Sequence, residues 1–170
     1  MKFPAVTGSN LSGQRYHLPQ DFEGQYNVAI TVYQRFQQTN VDSWGALLQD
    51  LARQYPALRY YELPTLPNYG WIQRSFIDGG MRGGIPDKAV RARTITLYLD
   101  VKKFNAGLDL PTIDDIYVLV VDREGEVLWQ TNGDYTEQKA DLLSQRLAEL
   151  FAQTAETQPT DTSDKDGGQR

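Results

Sequence analysis

The chain has 170 residues, of which 40% are hydrophobic, and this is enough for one domain with a substantial core. Its formal net charge of −5 argues against a general nucleic-acid binder, because neutralising phosphates requires a basic surface. The absence of cysteine excludes disulfides, thiolate catalysis and cysteine-ligated zinc or iron–sulfur centres.

The first half of the chain alternates between strand and helix patterns. Residues 3–25 combine short apolar patches with Gly, Ser, Asn and Pro, which predicts a hairpin leading into the domain. Residues 27–33 are β-branched and almost entirely apolar, as in a strand covered on both faces. An apolar stripe then predicts an amphipathic helix that begins near Asp42 and ends before Pro56. Residues 58–63 supply the next strand.

The middle of the chain is less regular. Residues 68–76 predict a helix, and residues 78–93 read as a glycine-rich basic loop that holds a short helix at 87–91. Residues 94–99 predict a further strand, followed by a helical turn that ends at Gly107.

A hairpin and a helix close the predicted domain. Residues 116–130 give two strands joined by a turn at 123–125, and an amphipathic helix begins near Tyr135. From residue 154 the sequence is polar and has too little apolar surface to offset its ordering entropy. We therefore expect one domain over residues 1–153 and a disordered tail over 154–170.

This order of elements resembles the thioredoxin-like fold, and within it the peroxiredoxin-like (AhpC/TSA) branch, which adds strands before the first core strand. The most specific segment is DDIYVLVVDREGEVLWQTNG at 114–133, and FPAVTGSNLSG at 3–13 looks like the N-terminal entry of that branch. The resemblance implies an α/β three-layer sandwich. Its mixed central sheet would be flanked by helices and extended by an N-terminal β-hairpin.

Two segments carry a narrower resemblance. Residues 27–44 (NVAITVYQRFQQTNVDSW) and 95–133 (ITLYL…WQTNG) resemble the mitochondrial ATP-synthase assembly factors that share this fold. Those factors assist the membrane-embedded proton-channel subunit. The resemblance implies a function in assembly and a protein partner.

The chain departs from redox-active members of the fold at both halves of their site. The positions that hold cysteines in those proteins correspond to Gln38 and Val41, and neither side chain can form a thiolate. The cis-proline that faces the site is replaced near Ile116, where a trans peptide bond is expected because a non-proline cis bond costs about 2.5–4 kcal/mol. The loop is therefore expected to be a surface and not a reaction centre.

Other residues offer little catalytic chemistry. His17 is the only histidine, so a histidine-rich metal site or a Ser-His-Asp triad has little to build from, and a surface strand residue is expected. The pairs Asp114 and Asp115, and Asp122 and Glu124, flank predicted strands, where Asp is common in turns. We predict no catalytic residue, no metal and no cofactor.

The glycine-rich basic stretch allows two interpretations. Its free loop amides and positive charges could form an anion site, or its solvated side chains could attract an acidic partner. The basic residues concerned are Arg74, Arg82, Lys88, Arg91 and Arg93.

The leading hypothesis is a non-catalytic thioredoxin-fold protein that binds another, unidentified protein, as an assembly or chaperone-type factor. The alternative is an enzyme of unrecognised type that uses the loop at 78–93 to bind an anionic substrate or cofactor. A redox partner that contributes no cysteine is a third possibility. The sequence lacks an apolar signal core and a membrane-spanning apolar run, so we expect a cytoplasmic protein that is not an integral membrane protein.

Overall fold

Strand β3 (Tyr26–Val32) lies at the centre of the fold, and all seven of its residues are buried. It pairs in parallel with β4 (Leu58–Pro67) and antiparallel with β6 (Tyr117–Asp122). Its apolar sequence matches this position, because helices cover both faces of the strand. The computed structural model describes residues 1–157.

The remaining elements complete a seven-stranded mixed sheet in the order β2-β1-β5-β4-β3-β6-β7. The other strands are β1 (Val6–Asn10), β2 (Arg15–Leu18), β5 (Ile95–Leu99) and β7 (Val127–Asn132). The helices are α1 (Gln38–Ser43), α2 (Gly45–Gln54), α3 (Trp71–Gly84), α4 (Lys88–Arg93), α5 (Val101–Gly107) and α6 (Glu137–Thr157). The predicted mixed sheet, its flanking helices and the N-terminal hairpin β1-β2 are thus confirmed.

Two apolar layers lie on opposite faces of the sheet, because side chains of a strand point alternately to either side. Ala29 of β3 belongs to the layer that contains Phe104 of α5. Val28 belongs to the layer that contains Leu48 of α2 and Leu147 of α6. The predicted apolar stripe of α6 is buried at Ala140, Leu143, Leu147 and Leu150.

The predicted loop is wrong over residues 78–84, because α3 continues to Gly84, whereas the short helix predicted at 87–91 is present as α4. Asp87 caps α4 by accepting a hydrogen bond from the Ala89 amide at 2.7 Å. A glycine inside a helix costs only about 0.8–1.0 kcal/mol relative to alanine, so several glycines do not prevent a helix. The predicted helix at 68–76 accordingly begins later and extends further.

Helix α6 also extends past the predicted domain boundary. Residues 154–157 belong to α6, and the Thr154 hydroxyl shares a 2.7 Å hydrogen bond with the hydroxyl of Tyr26. Only residues 158–170 of the expected disordered tail remain, and they lie outside the described residues. Within residues 1–157, every helix is too short or too polar to cross a membrane.

The connection after β3 is a short 3-10 turn (Arg35–Gln37) that one buried amide holds in place. The Gln37 Oε1 accepts hydrogen bonds from the backbone amides of Tyr33 (2.8 Å) and Gln34 (3.0 Å). Its Nε2 donates to the Ile113 carbonyl at 2.8 Å. The Gln37 side chain therefore joins the end of β3 to the segment that precedes β6.

Replacing Leu147 with alanine should lower the free energy of unfolding by about 2–5 kcal/mol, because the side chain is fully buried between α6 and the sheet. Leu142→Ala on the same helix is the matched control, since that side chain is 50% exposed. Urea unfolding followed by circular dichroism measures both. Equal losses for the two variants would mean that α6 does not bury this face.

Gln37→Leu should lower the free energy of unfolding by at least about 2 kcal/mol, because it leaves two amides and one carbonyl without their partner. Gln38→Leu changes the adjacent, exposed glutamine and should stay within about 0.5 kcal/mol of wild type. Urea unfolding followed by circular dichroism measures the free energy of unfolding of both variants. A Gln37→Leu variant as stable as wild type would contradict this role of the amide.

Candidate functional site

Gln38 and Val41, which are predicted to replace the redox cysteines, lie in α1. Gln38 is exposed and donates from Nε2 to the Asp42 carboxylate at 3.0 Å. Val41 is buried in the same apolar layer as Ile116. Since the whole chain contains no cysteine, this region provides no thiolate, and its buried residues contribute packing.

Ile116, which is predicted to replace the cis-proline of redox members, directly precedes β6. Within residues 1–157 the only cis peptide bond is Leu18–Pro19, so the bond before Ile116 is trans, as predicted. The Ile116 carbonyl accepts a 2.9 Å hydrogen bond from the Gly133 amide, and the Gly133 carbonyl accepts one from the Trp44 indole at 3.0 Å. Local packing and backbone hydrogen bonding thus account for this position.

A cleft of about 380 Å³ lies beside α1, between α2, β4 and α4. The Glu62 carboxyl lines it, and burial raises the pKa of that group. Arg93 borders the same cleft, with its guanidinium carbon 4.6 Å from the centre of the Tyr60 ring. Apolar side chains such as Val41 and Leu48 line the cleft together with these polar groups, and Gln38 is also part of the lining.

The five basic residues of the predicted anion or partner site do not meet at one place. Arg74 of α3 donates from Nε to the Tyr69 carbonyl at 2.6 Å, and its guanidinium carbon lies 4.9 Å from the centre of the Tyr98 ring. Arg82 donates from Nε to the Leu11 carbonyl at 3.0 Å. These two arginines fasten α3 to its surroundings at different points.

The other three basic residues lie on α4. Arg93 faces the cleft beside Tyr60, Lys88 is exposed, and Arg91 is half-buried. The positive charge of this region is therefore spread along two helices. A shared concave site made by all five side chains is not formed.

The outer side of α3 is the most exposed apolar surface of the described chain. Trp71 is 77% exposed, Ile72 is 66% exposed and Phe76 is 83% exposed, and no residue of α3 is buried. We define the α3 outer face as Trp71, Ile72, Phe76, Gly79 and Gly83. Arg74, Ile77, Asp78 and Met81 are half-buried on its inner side.

Sequence reasoning placed Trp71 and Phe76 on a helix but missed how fully they are exposed. The helical spacing of Ile72, Phe76 and Gly79 could have indicated this exposed face, because it places large apolar residues and a glycine on one side of the helix. The opposite side carries Arg74 and Asp78, which indicates polar contacts with the sheet. Both facts can be read from the sequence once the helix is known to continue past Phe76.

The single histidine and the acidic pairs do not form a reaction centre. His17 is exposed and its Nδ1 contacts the Thr7 hydroxyl at 3.2 Å. Asp122 accepts a 2.8 Å hydrogen bond from the Glu126 amide within the β6-β7 turn. Within residues 1–157, no group of three His, Cys, Asp or Glu side chains lies close enough to hold a metal ion.

No protein-family model and no curated protein matches the chain. Solved structures do match over most of its length. Yeast Sco1 with copper bound has a TM-score of 0.57 at 11% identity, with 86% of this chain and 92% of that chain covered. BsSco, a member of the Sco family of cytochrome c oxidase assembly proteins, gives a TM-score of 0.56 at 13% identity, with 86% and 92% coverage.

A thiol:disulfide interchange protein from Bacteroides sp. gives a TM-score of 0.53 at 13% identity, covering 85% of this chain and 86% of that chain. Identities this low carry information about the fold and not about the activity. These structural matches show that the chain has the thioredoxin-like fold. The strand order β2-β1-β5-β4-β3-β6-β7 and the two helical layers agree with it.

Proposed function

We propose that this chain is a non-catalytic thioredoxin-fold protein that binds another protein, as an assembly or chaperone-type factor, through the α3 outer face. The exposure of Trp71, Ile72 and Phe76 on one helix carries the proposal. Burying apolar surface contributes about 25 cal/mol per Å², and large contiguous apolar patches on monomers commonly mark interaction sites. Tryptophan in particular is enriched among the residues that dominate binding energy.

The charge around the α3 outer face indicates what kind of partner it accepts. Residues 71–93 contain five basic and two acidic side chains, a local charge of +3 in a chain whose net charge is −5. A protein segment with apolar residues flanked by acidic ones is complementary to this surface. A second copy of the chain is disfavoured, because a two-fold interface would bring two positive surfaces together.

The glycines of α3 suit the approach of another polypeptide. A methyl group added at Gly79 or Gly83 would meet no atom within 4 Å, so the helix surface on this side is open to a partner. Four glycines and the lack of any buried residue also make α3 a weak helix by itself. A bound partner would supply the packing that the sheet does not.

The comparisons and the resemblances support an assembly role. BsSco belongs to a family described as cytochrome c oxidase assembly proteins, and two segments of this chain resemble ATP-synthase assembly factors. Without cysteine, a member of the peroxiredoxin-like branch retains its surfaces but loses its thiol chemistry. The proposal includes a cytoplasmic location, which cell fractionation tests.

The purified protein should neither reduce insulin disulfides nor consume hydrogen peroxide, because both two-electron cycles require a cysteine sulfur. A turbidity assay with dithiothreitol and a peroxide-consumption assay measure this, with a cysteine-containing thioredoxin as the positive control. Turnover that persists through successive purification steps would contradict the non-catalytic interpretation.

The double variant Trp71→Ser with Phe76→Ser should weaken partner binding and leave the melting temperature unchanged, because both side chains are exposed. The matched control is Tyr135→Ser with Leu142→Ser, which removes exposed apolar side chains elsewhere. Cross-linked complexes from cells are compared by quantitative mass spectrometry, and binding is then measured with the purified partner. We expect a Kd at least tenfold higher for the α3 variant and wild-type affinity for the control.

Three results would contradict this proposal. The first is equal retention of the purified partner by the wild type and both variants. The second is a wild-type dimer in sedimentation experiments that the α3 variant dissociates. The third is flotation of the wild type, but not the α3 variant, with phosphatidylglycerol vesicles in the absence of any partner protein.

A further inference from the structure

A second cavity lies beneath the inner side of α3, against the N-terminal hairpin and β5. Its volume is about 300 Å³. We call it the β1/α3 cavity, and it is lined by Thr7, Gly8, Ser9, Arg15, Arg74, Asp78, Thr96 and Tyr98. Seven of these eight residues carry a polar or charged side chain. A cavity of this size and polarity fits a small polar ligand.

Strand pairing explains why these side chains meet. Ser9 of β1 lies opposite Arg15 of β2 and opposite Thr96 of β5. Residues directly opposite in antiparallel strands point to the same face of a sheet. Arg15, Ser9 and Thr96 therefore form a row across three strands, and Arg74 of α3 reaches the row from above.

The two arginines of the cavity have unused hydrogen-bonding capacity. Within residues 1–157, neither Arg15 nor Arg74 forms a salt bridge. Arg74 uses its Nε on the Tyr69 carbonyl and one terminal nitrogen on the Asn68 side chain, which leaves further N–H groups. Guanidinium groups are common protein ligands for phosphate, because their planar donors match its oxygens.

Thr96 provides a second, independent observation at the β1/α3 cavity, which it lines. It is only 4% exposed, and its Oγ1 has no hydrogen-bond partner among the described residues. Leaving a buried hydroxyl unpaired costs about 1–3 kcal/mol, so each such group calls for a structural or functional explanation. A ligand oxygen in the β1/α3 cavity would accept the hydrogen bond that Thr96 lacks.

Asp78 is the one acidic residue of the cavity, and it is already engaged. The Tyr98 hydroxyl donates to its Oδ1 at 2.7 Å. Burial, followed by the neighbouring Asp78 carboxylate, raises the pKa of Tyr98, so the phenol keeps its proton. The free lone pairs of Asp78 can accept from a hydroxyl group placed beside an anion. The two arginines outweigh its single negative charge.

We propose that the β1/α3 cavity binds a phosphate group, either free or as the monoester of a small hydroxylated compound. Arg15 and Arg74 hold the phosphate oxygens, Thr96 donates to one of them, and Asp78 accepts from a ligand hydroxyl. This site lies under α3, whereas the proposed protein-binding surface lies on its outer face. The two proposals therefore stand or fall separately.

Titration of the full chain with inorganic phosphate and with glycerol 3-phosphate, followed by backbone amide shifts, tests the site. We expect saturable shifts confined to β1, β2, β5 and α3. Arg15→Gln should weaken binding at least tenfold, and it should fold normally because Arg15 is exposed. Arg35→Gln, an exposed arginine outside the cavity with the same charge change, should bind as wild type does. Tighter binding of glycerol 3-phosphate than of phosphate identifies the monoester as the ligand class, and the reverse identifies free phosphate.

A pair of threonine variants tests the role of the unpaired hydroxyl. Thr96 and Thr31 both bury an Oγ1 without a partner, but Thr31 lies within β3 and does not line the cavity. Replacing either with valine should keep or raise the melting temperature, whereas only Thr96→Val should weaken phosphate binding. The proposal is overturned if no saturable binding is seen, if Arg35→Gln loses as much affinity as Arg15→Gln, or if Thr96→Val binds phosphate as tightly as Thr31→Val.

Discussion

The polarity of one sheet face changes between the centre of the sheet and its N-terminal edge, and the arrangement of the helices depends on that change. On this face β3 and β6 present Ile30 and Val118, which α2 and α6 cover. Further across, β5 presents Thr96 and Tyr98 and β1 presents Ser9. Apolar burial can hold helices only over the first half of the face. Any helix over the second half must be held by polar contacts.

Helix α3 occupies the polar half and is attached accordingly. The Tyr98 hydroxyl donates to Asp78, and Arg82 donates to the Leu11 carbonyl. Each such bond contributes about 0.5–1.5 kcal/mol net, less than the burial of one large apolar side chain. The inner side of α3 carries these polar anchors beside the half-buried Ile77 and Met81, whereas Trp71, Ile72 and Phe76 lie on the outer side. The exposed surface and the polar cavity thus lie on opposite sides of the same helix.

The sequence predicts those elements whose apolar pattern is compatible with only one kind of secondary structure. The apolar run of β3 and the stripe through Leu147 require burial, so their positions follow from periodicity. The glycines from Asp78 to Gly84 predict a loop because glycine is common in turns, yet a helix tolerates them at a modest cost. The pairing of Arg15 with Thr96 across β1 depends on strand order, which no local pattern contains. Gln37 was missed for a related reason, since its carbonyl partner lies 76 residues along the chain.

The position of the β1/α3 cavity beneath α3 connects the two proposed binding events. A phosphate held by Arg74 of α3 and by Arg15 of β2 would join the helix to the sheet across a contact that has few other bonds. A ligand that favours the attached helix lowers the cost of ordering α3 when a protein partner binds its outer face. Linkage requires the reverse as well, so the partner would raise the affinity for phosphate by the same factor. Val41 and Ile116, the predicted replacements of redox-site residues, are buried in one apolar layer, and Gln37 is held by hydrogen bonds beside them. The chain therefore keeps the thioredoxin-like sheet as a rigid support and carries its candidate binding surfaces at the N-terminal edge.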